Sequence, residues 1–308
     1  MPIFDMKSDG LSQIKEMPFK VERDIQKLVE QNLKTLLGLD FVKSEFTVSG
    51  SVKQLRIDTL AFDPQNNSFV IIEYKQDKNF SVVDQGYAYL SAMLNNKADF
   101  ILEYNECCDK ILKKADVDWS QSRVIFISQA FTPYQKEAIN FKDLPISLWE
   151  IKRFHNQIIS FDEIRKLNAT ESIKTVSSAG SAVKAVSKEI VVYTENDRLQ
   201  DMPENVVCLY NQLRERIFEF NNVEIKVTKL YIAFTINGSN FADIVILKKG
   251  LKIFLNMAKG SLEDPYNLTR DVSCTGHWGN GDYELNISDA DKLDYVLSLI
   301  KQSYQNKI

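Results

Sequence analysis

The chain has 308 residues, of which 44% are apolar and 26% charged, with a net charge of -4 and a pI near 5.5. Those fractions suit a globular protein of two ordinary domains, or one large one, and exclude disordered and fibrous classes. The acidic balance argues against a protein that coats nucleic acid non-specifically, but it leaves room for an enzyme that grips it locally in a basic groove.

Two histidines, His155 and His277, cannot build a His-rich zinc site, and Cys107 and Cys108 are adjacent, not spaced as metal ligands. A Ser-His-Asp triad has no nucleophile elbow to support it. Four cysteines make no disulfide framework, and the segment from Met1 to Lys7 lacks a basic stretch followed by an apolar run. A cytoplasmic location is therefore expected. The apolar runs, Phe69 to Ile72 and Val124 to Ile127 among them, are too short to span a bilayer, so no membrane partner is expected.

In chain order, apolar spacing predicts an amphipathic helix from Phe19 to Leu37, ending at Gly38. Three β-rich stretches follow, Phe41 to Val48, Gln54 to Asp63 and Ser68 to Lys75, the last two joined by the turn signal Asp63-Pro64-Gln65-Asn66-Asn67. A helix is predicted from Val82 to Leu94, a short strand at Asp99 to Glu103, a strand at Arg123 to Ser128, a helix at Thr132 to Asn140 and a last strand at Ile146 to Phe154. That order predicts an α/β layout with a mixed sheet over residues 1–165. Residues 166–190 shift to Ser, Ala, Thr and Lys and read as a linker. Residues 191–308 read as a smaller α+β domain: a helix from Pro203 to Phe220, strands at Lys226 to Ile236, Phe241 to Leu247, Leu251 to Met257 and Tyr283 to Ile287, and a closing helix from Asp289 to Tyr304.

The chemistry concentrates in the first part. The strand Phe69-Val70-Ile71-Ile72-Glu73-Tyr74-Lys75 begins as a continuous apolar run, as a strand covered on both faces does. Glu73 and Lys75, two apart, project from one face at its end. On the preceding strand Asp58 sits between apolar neighbours, where a hairpin could bring it beside Glu73. Two carboxylates and a lysine at the rim of a buried sheet are costly unless a ligand compensates them. The plainer alternative is a solvated strand face on which Asp58 pairs with Lys75. The first helix adds Glu22, which falls on the apolar stripe of Ile25, Val29, Leu33 and Leu36 with Gln26 beside it. Its plainer alternative is a carboxylate favoured by the helix dipole. Glu30, at the stripe's border, is the fallback.

In order and spacing these residues resemble the PD-(D/E)xK nuclease superfamily, nearest to its RecB-like and NucS-like branches. The pattern is a helical Glu (Glu22), an Asp on the second strand (Arg56-Ile57-Asp58, with Ile57 where the name-giving Pro stands) and (D/E)-x-K on the third (Glu73-Tyr74-Lys75). RecB-like members add Gln-x-x-x-Tyr on the next helix, which Gln85 and Tyr89 match. The resemblance implies a restriction-endonuclease-like, helix-flanked mixed sheet. It also implies Mg²⁺ or Mn²⁺ held by Asp58, Glu73 and the carbonyl of Tyr74, Lys75 positioning the attacking water, Glu22 completing or tuning the site, and Gln85 supporting it. The implied activity is metal-dependent hydrolysis of phosphodiester bonds, with DNA the expected partner and a homodimer an expectation from the resemblance alone. The alternative is a non-catalytic nucleic-acid- or protein-binding module that kept the fold. A third, a structural subunit of a larger complex, predicts stable co-purifying partners. Lys53, Arg56, Lys78 and Lys97 are candidate phosphate contacts.

The last domain resembles a domain of unknown function, DUF5655, through Arg270-Asp271-Val272-Ser273 and Gly276-His277-Trp278-Gly279. That resemblance implies no chemistry. The glycine-rich loop could bind phosphate or stack a base, though a tight turn with packed aromatics is the plainer reading.

Overall fold

Runs of β-branched and aromatic residues separated by turn signals build two sheets, and helical apolar stripes cover them. The computed structural model describes residues 2–7, 10–49, 54–76, 81–108, 111–141, 143–166, 172, 186–275 and 279–308. The chain divides into two units, Met1–Val192 and Tyr193–Ile308. Of the linker expected at 166–190, residues 167–171 and 173–185 lie outside the described residues, while Val186 and Ile190 are buried in the core of the first unit.

The first unit opens with a hairpin of β1 (Ile3–Lys7) and β2 (Gly10–Ile14). Its main sheet contains β3 (Asp40–Ser49), β4 (Gln54–Asp63), β5 (Ser68–Lys75), β6 (Arg123–Ser128), β7 (Ile146–Phe154) and β8 (Ile158–Glu163), in that spatial order. Pairing is antiparallel from β3 to β5, parallel from β5 to β7, and antiparallel for β7 with β8. Parallel neighbours need crossovers, and helices α3 (Val82–Asn95), α4 (Lys97–Cys107) and α5 (Pro133–Ala138) lie on those connections. The unit is mixed α/β.

Each face of the sheet has its own core. Ile25, Val29 and Leu33, from α1 (Glu22–Gln31) and α2 (Leu33–Leu37), pack with Val70, Ile72, Tyr74, Ile125 and Ile127. On the other face Tyr87, Leu90, Met93, Phe100 and Tyr104 pack with Leu60, Phe69, Ile71 and Phe126. The sheet is thus covered on both sides, which is why β5 reads as an uninterrupted apolar run. Helix α3 lies close to the sheet at Gly86, where a Cβ would stand 2.4 Å from Ile146 Cδ1.

Several boundaries differ from the sequence reading. Asp99 to Glu103, expected as a strand, lies within α4. Its short apolar run Phe100-Ile101-Leu102 fits either period, and burial of Phe100 and Tyr104, four apart on one helix face, decides for the helix. Strand β7 is not the last of its sheet, because β8 returns along it. The first helix begins at Glu22 and breaks at Asn32, whose side chain donates to the Leu28 carbonyl. Gly38 (φ 69°) ends α2 in the left-handed conformation that favours glycine.

Helix α5 is short and depends on its cap. Thr132 Oγ1 accepts the Gln135 N–H at 3.2 Å and Gln135 Oε1 accepts the Thr132 N–H at 2.9 Å. Thr132→Ala is expected to cost about 1 kcal/mol, read as a lower urea midpoint with unchanged slope.

In the second unit an antiparallel sheet runs β13 (Arg270–Asp271), β14 (Tyr283–Ile287), β12 (Gly250–Leu255), β11 (Ser239–Leu247), β10 (Ile232–Ile236), β9 (Glu224–Val227). The expected single strand Lys226 to Ile236 is two strands, divided by a turn in which Thr228 Oγ1 accepts the Tyr231 N–H. Helices Glu204–Ile217 and Leu293–Gln305 pack through Leu209, Leu213, Val296 and Ile300 on one face. The closing helix thus starts four residues later than Asp289. On the other face Asp243 is fully buried beside Phe254, and burial pushes its carboxyl up to about 6. It accepts bonds from the Asn280 N–H and from the Asn280 and Asn240 side chains, which tie the end of the 272–282 connection to β11. Gly276, His277 and Trp278 of the predicted loop lie outside the described residues.

Candidate active site

Strand pairing brings the predicted residues together where β4 and β5 part. The β4–β5 register ends at Thr59↔Ile72, and the β3–β4 register passes from Ser44↔Thr59 to Phe46↔Ile57, so Asp58 has no cross-strand register partner. Opposite it, Glu45 takes a left-handed φ of 57°, uncommon for a residue other than glycine. Asp58 Oδ2 accepts the backbone N–H of Tyr74 at 3.0 Å, which seats its carboxylate at the end of β5. Burial, and next the charge of Glu73, push the Asp58 carboxyl up to about 6. The Tyr74 N–H and Lys75 oppose that rise, and Glu22 adds to it.

Glu73 and Lys75 do share a face. Lys75 Nζ lies 2.7 Å from Glu73 Oε1, and Gln85 Nε2 donates to the same oxygen at 2.9 Å. The Glu73 side chain is only 4% exposed and that of Lys75 is 20% exposed. Glu73 Oε2 is buried with no hydrogen-bond partner, a costly state for a carboxylate oxygen. Gln85 also donates to Tyr89 Oη at 3.2 Å, and the Tyr89 hydroxyl donates to the Arg56 carbonyl at 3.1 Å. The pair four apart on α3 therefore faces the β4–β5 fork, as helical spacing requires. Burial holds the Tyr89 and Tyr74 phenols well above their ordinary range, so both stay neutral.

Glu22 stands at the first turn of α1, and its Oε1 accepts the N–H of Gln76 at 2.5 Å, directly after β5. The fallback, Glu30, lies two turns further along α1, where its Oε1 accepts the Thr59 hydroxyl at 2.6 Å. Among the basic candidates, Arg56 pairs with Glu45 at 2.9 Å on the exposed side of the β3–β4 hairpin. Lys97 is engaged with Glu189 and lies 5.5 Å from the Trp119 ring centroid. Lys53 and Lys78 lie outside the described residues.

Among the described residues no group of three or more His, Cys, Asp and Glu side chains is placed to hold a metal ion. The site offers two carboxylates instead, a set that suits Mg²⁺, which keeps several waters and uses one or two protein carboxylates. The unpartnered Glu73 oxygen beside Asp58 fits a hard cation. Among the described residues no helix is long and apolar enough to cross a membrane.

Of the polar residues behind the site, sequence reasoning places Gln26 beside Glu22 without a role and passes over Ser44 and Thr59. One signal was visible: Gln26 interrupts the apolar stripe of α1, and an amide there needs partners.

Residues 195–307 match the model of a domain of unknown function, DUF5655. Two solved structures share a partial likeness. One, described as EndoMS in apo form, is 14% identical with a TM-score of 0.25, covering 42% of this chain and 44% of that one. The other, a repair endonuclease from Pyrococcus abyssi, is 16% identical with a TM-score of 0.22, covering 41% and 45%. Both scores are low, and the chain spans less than half the length of either solved protein. An uncharacterized protein of Haemophilus influenzae is 51% identical over 307 residues, 99% of this chain and all of that one. With identity at that level from end to end, the chain belongs to the same family as the Haemophilus influenzae protein.

Proposed function

We propose that the Met1–Val192 unit is a nuclease of the PD-(D/E)xK type that hydrolyses phosphodiester bonds, in DNA as the expected substrate, with Mg²⁺ or Mn²⁺. The observation that carries this reading is the buried, unpartnered Oε2 of Glu73 beside an Asp58 carboxyl raised to about 6. Charge is concentrated here at a cost to folding, as functional sites require. Asp58 and Glu73 would hold the cation, with the Tyr74 carbonyl as the expected third protein oxygen. When bound, such a cation lowers the pKa of water and offsets charge on the phosphate. Lys75, anchored on Glu73 yet partly exposed, is placed to orient water or to stabilise the negative charge that develops on phosphorus oxygens. Gln85 restrains Glu73, and Glu22 restrains the chain leaving β5 at Gln76.

The test is incubation of the purified chain with Mg²⁺ or Mn²⁺ and single-stranded, duplex and branched DNA and RNA, beside Asp58→Ala. Metal-dependent cleavage that disappears in the variant is the expected result. Cleavage by Asp58→Ala at the wild-type rate overturns the reading. Metal-independent nucleic-acid binding without cleavage, unchanged by the substitution, would favour a binding module that kept the fold.

A further inference from the structure

We infer that Gln26 is a positioning residue that holds the backbone of Asp58 for the cation, an inference that rests on the metal-site reading above. Of the site's strand residues Asp58, Glu73 and Lys75, Asp58 alone lacks a register partner on both neighbouring strands. Its carbonyl accepts from Gln26 Nε2 at 2.9 Å, across from the helix that packs behind the sheet. Gln26 is 8% exposed, and the same nitrogen lies 3.1 Å from Glu30 Oε1 and 3.1 Å from Ser44 Oγ. A carbonyl and a carboxylate can only accept, so the orientation of the amide is dictated by its partners.

The remaining bonds close a ring. Thr59 has one hydroxyl proton and gives it to Glu30 Oε1 at 2.6 Å, so the 3.2 Å contact of Thr59 Oγ1 with Tyr74 Oη has the phenol as donor. Tyr74 in turn gives its backbone N–H to Asp58 Oδ2. Tyr74, Thr59, Glu30 and Gln26 thus link the two ends of Asp58, its carboxylate and its carbonyl, on the far side of the sheet from Glu73. Glu30 is the shared acceptor that anchors both branches. Partners one shell out from a metal fix the direction of its ligands, and their loss typically weakens binding about 10–100-fold. Without the Gln26 donor, the Asp58 carbonyl has neither a strand nor an amide to hold it, and the Tyr74 N–H alone is left to aim the carboxylate.

The experiment is Mn²⁺ titration of the full chain by calorimetry, with melting temperatures measured on the same samples. Gln26→Met keeps the volume and removes the donor. It is expected to weaken Mn²⁺ binding about 10-fold or more. Ile25→Val, on the same helix and fully buried, serves as the structural control and should lower the melting temperature without moving the affinity. Should Gln26→Met fail to fold, Gln26→Glu keeps size and polarity but cannot donate as a carboxylate, and the same loss is expected. Wild-type affinity in the Gln26 variants overturns the positioning role and leaves the metal reading standing. A loss in Ile25→Val equal to that in Gln26→Met overturns it as well, since the effect would then be one of general stability. A wild type that binds no Mn²⁺ overturns the metal reading itself, and the positioning role with it.

Discussion

Lys75→Ala is expected to abolish cleavage and to destabilise the first unit. The ammonium lies 2.7 Å from a carboxylate that is only 4% exposed, and on the reading above it is the cation nearest the reacting phosphate among the site's own side chains. Removing a group that stabilises transition-state charge costs about 10²–10³ in rate, and loss of its second role, orienting water, lowers activity further. The folding penalty has a separate origin. Glu73 would keep the Gln85 amide but no cation, and a buried charge stripped of its counterion typically costs about 3–5 kcal/mol. Lys75 retains some exposure, so the lower end, about 3 kcal/mol, is expected. A paired change separates the two effects. Lys75→Ala with Glu73→Gln removes the stranded charge, so denaturant stability should recover while activity stays absent. Equal stability of the single and double variants would show that the ion pair carries no such charge burden.

In the metal-free protein, Asp58→Asn is expected to raise stability at pH 8. The Asp58 carboxyl titrates near 6 in the folded chain, pushed up first by burial and then by Glu73, against ~3.9 when unfolded. A carboxyl whose folded value is raised makes the ionised folded state costly. The penalty is absent below about pH 4, grows between pH 4 and pH 6, and is complete above pH 6. That gap corresponds to about 3 kcal/mol. Part of it is offset because an amide oxygen accepts the Tyr74 N–H less strongly than a carboxylate does. A gain on the order of 2 kcal/mol at pH 8, vanishing by pH 4, is therefore expected from urea titrations at the two pH values. Added Mn²⁺ should reverse the order, because it stabilises only a chain whose carboxylate can bind it. A substitution that destabilises equally at both pH values would place Asp58 in a structural role.

Much of this site was legible in the linear chain because strand and helix periods are local. Residues two apart on β5 must share a face, which joined Glu73 to Lys75. Residues four apart on α3 must share another, which joined Gln85 to Tyr89. The turn at Asp63 to Asn67 set the hairpin that carries Asp58 toward Glu73. The position of Glu22 on an apolar stripe was enough to turn it toward the sheet.

Tertiary structure decided what depends on several elements at once. The short run Phe100-Ile101-Leu102 suits strand or helix equally, and only the apolar face of the sheet beneath it selects the helix. No period in β4 shows that Asp58 lacks a register partner, since that depends on where β5 stops pairing with β4 and on the backbone of β3 opposite. The orphaned oxygen of Glu73 arises from the three-way approach of β5, α3 and the β4 fork. The bonds from Gln26, Thr59 and Glu30 at the back of the site join residues up to 32 positions apart, Gln26 to Asp58, and exist only after α1 docks. Local periodicity sets which way a side chain points. Which partner it meets is set by packing between distant segments, whose contacts are written in no single stretch of sequence.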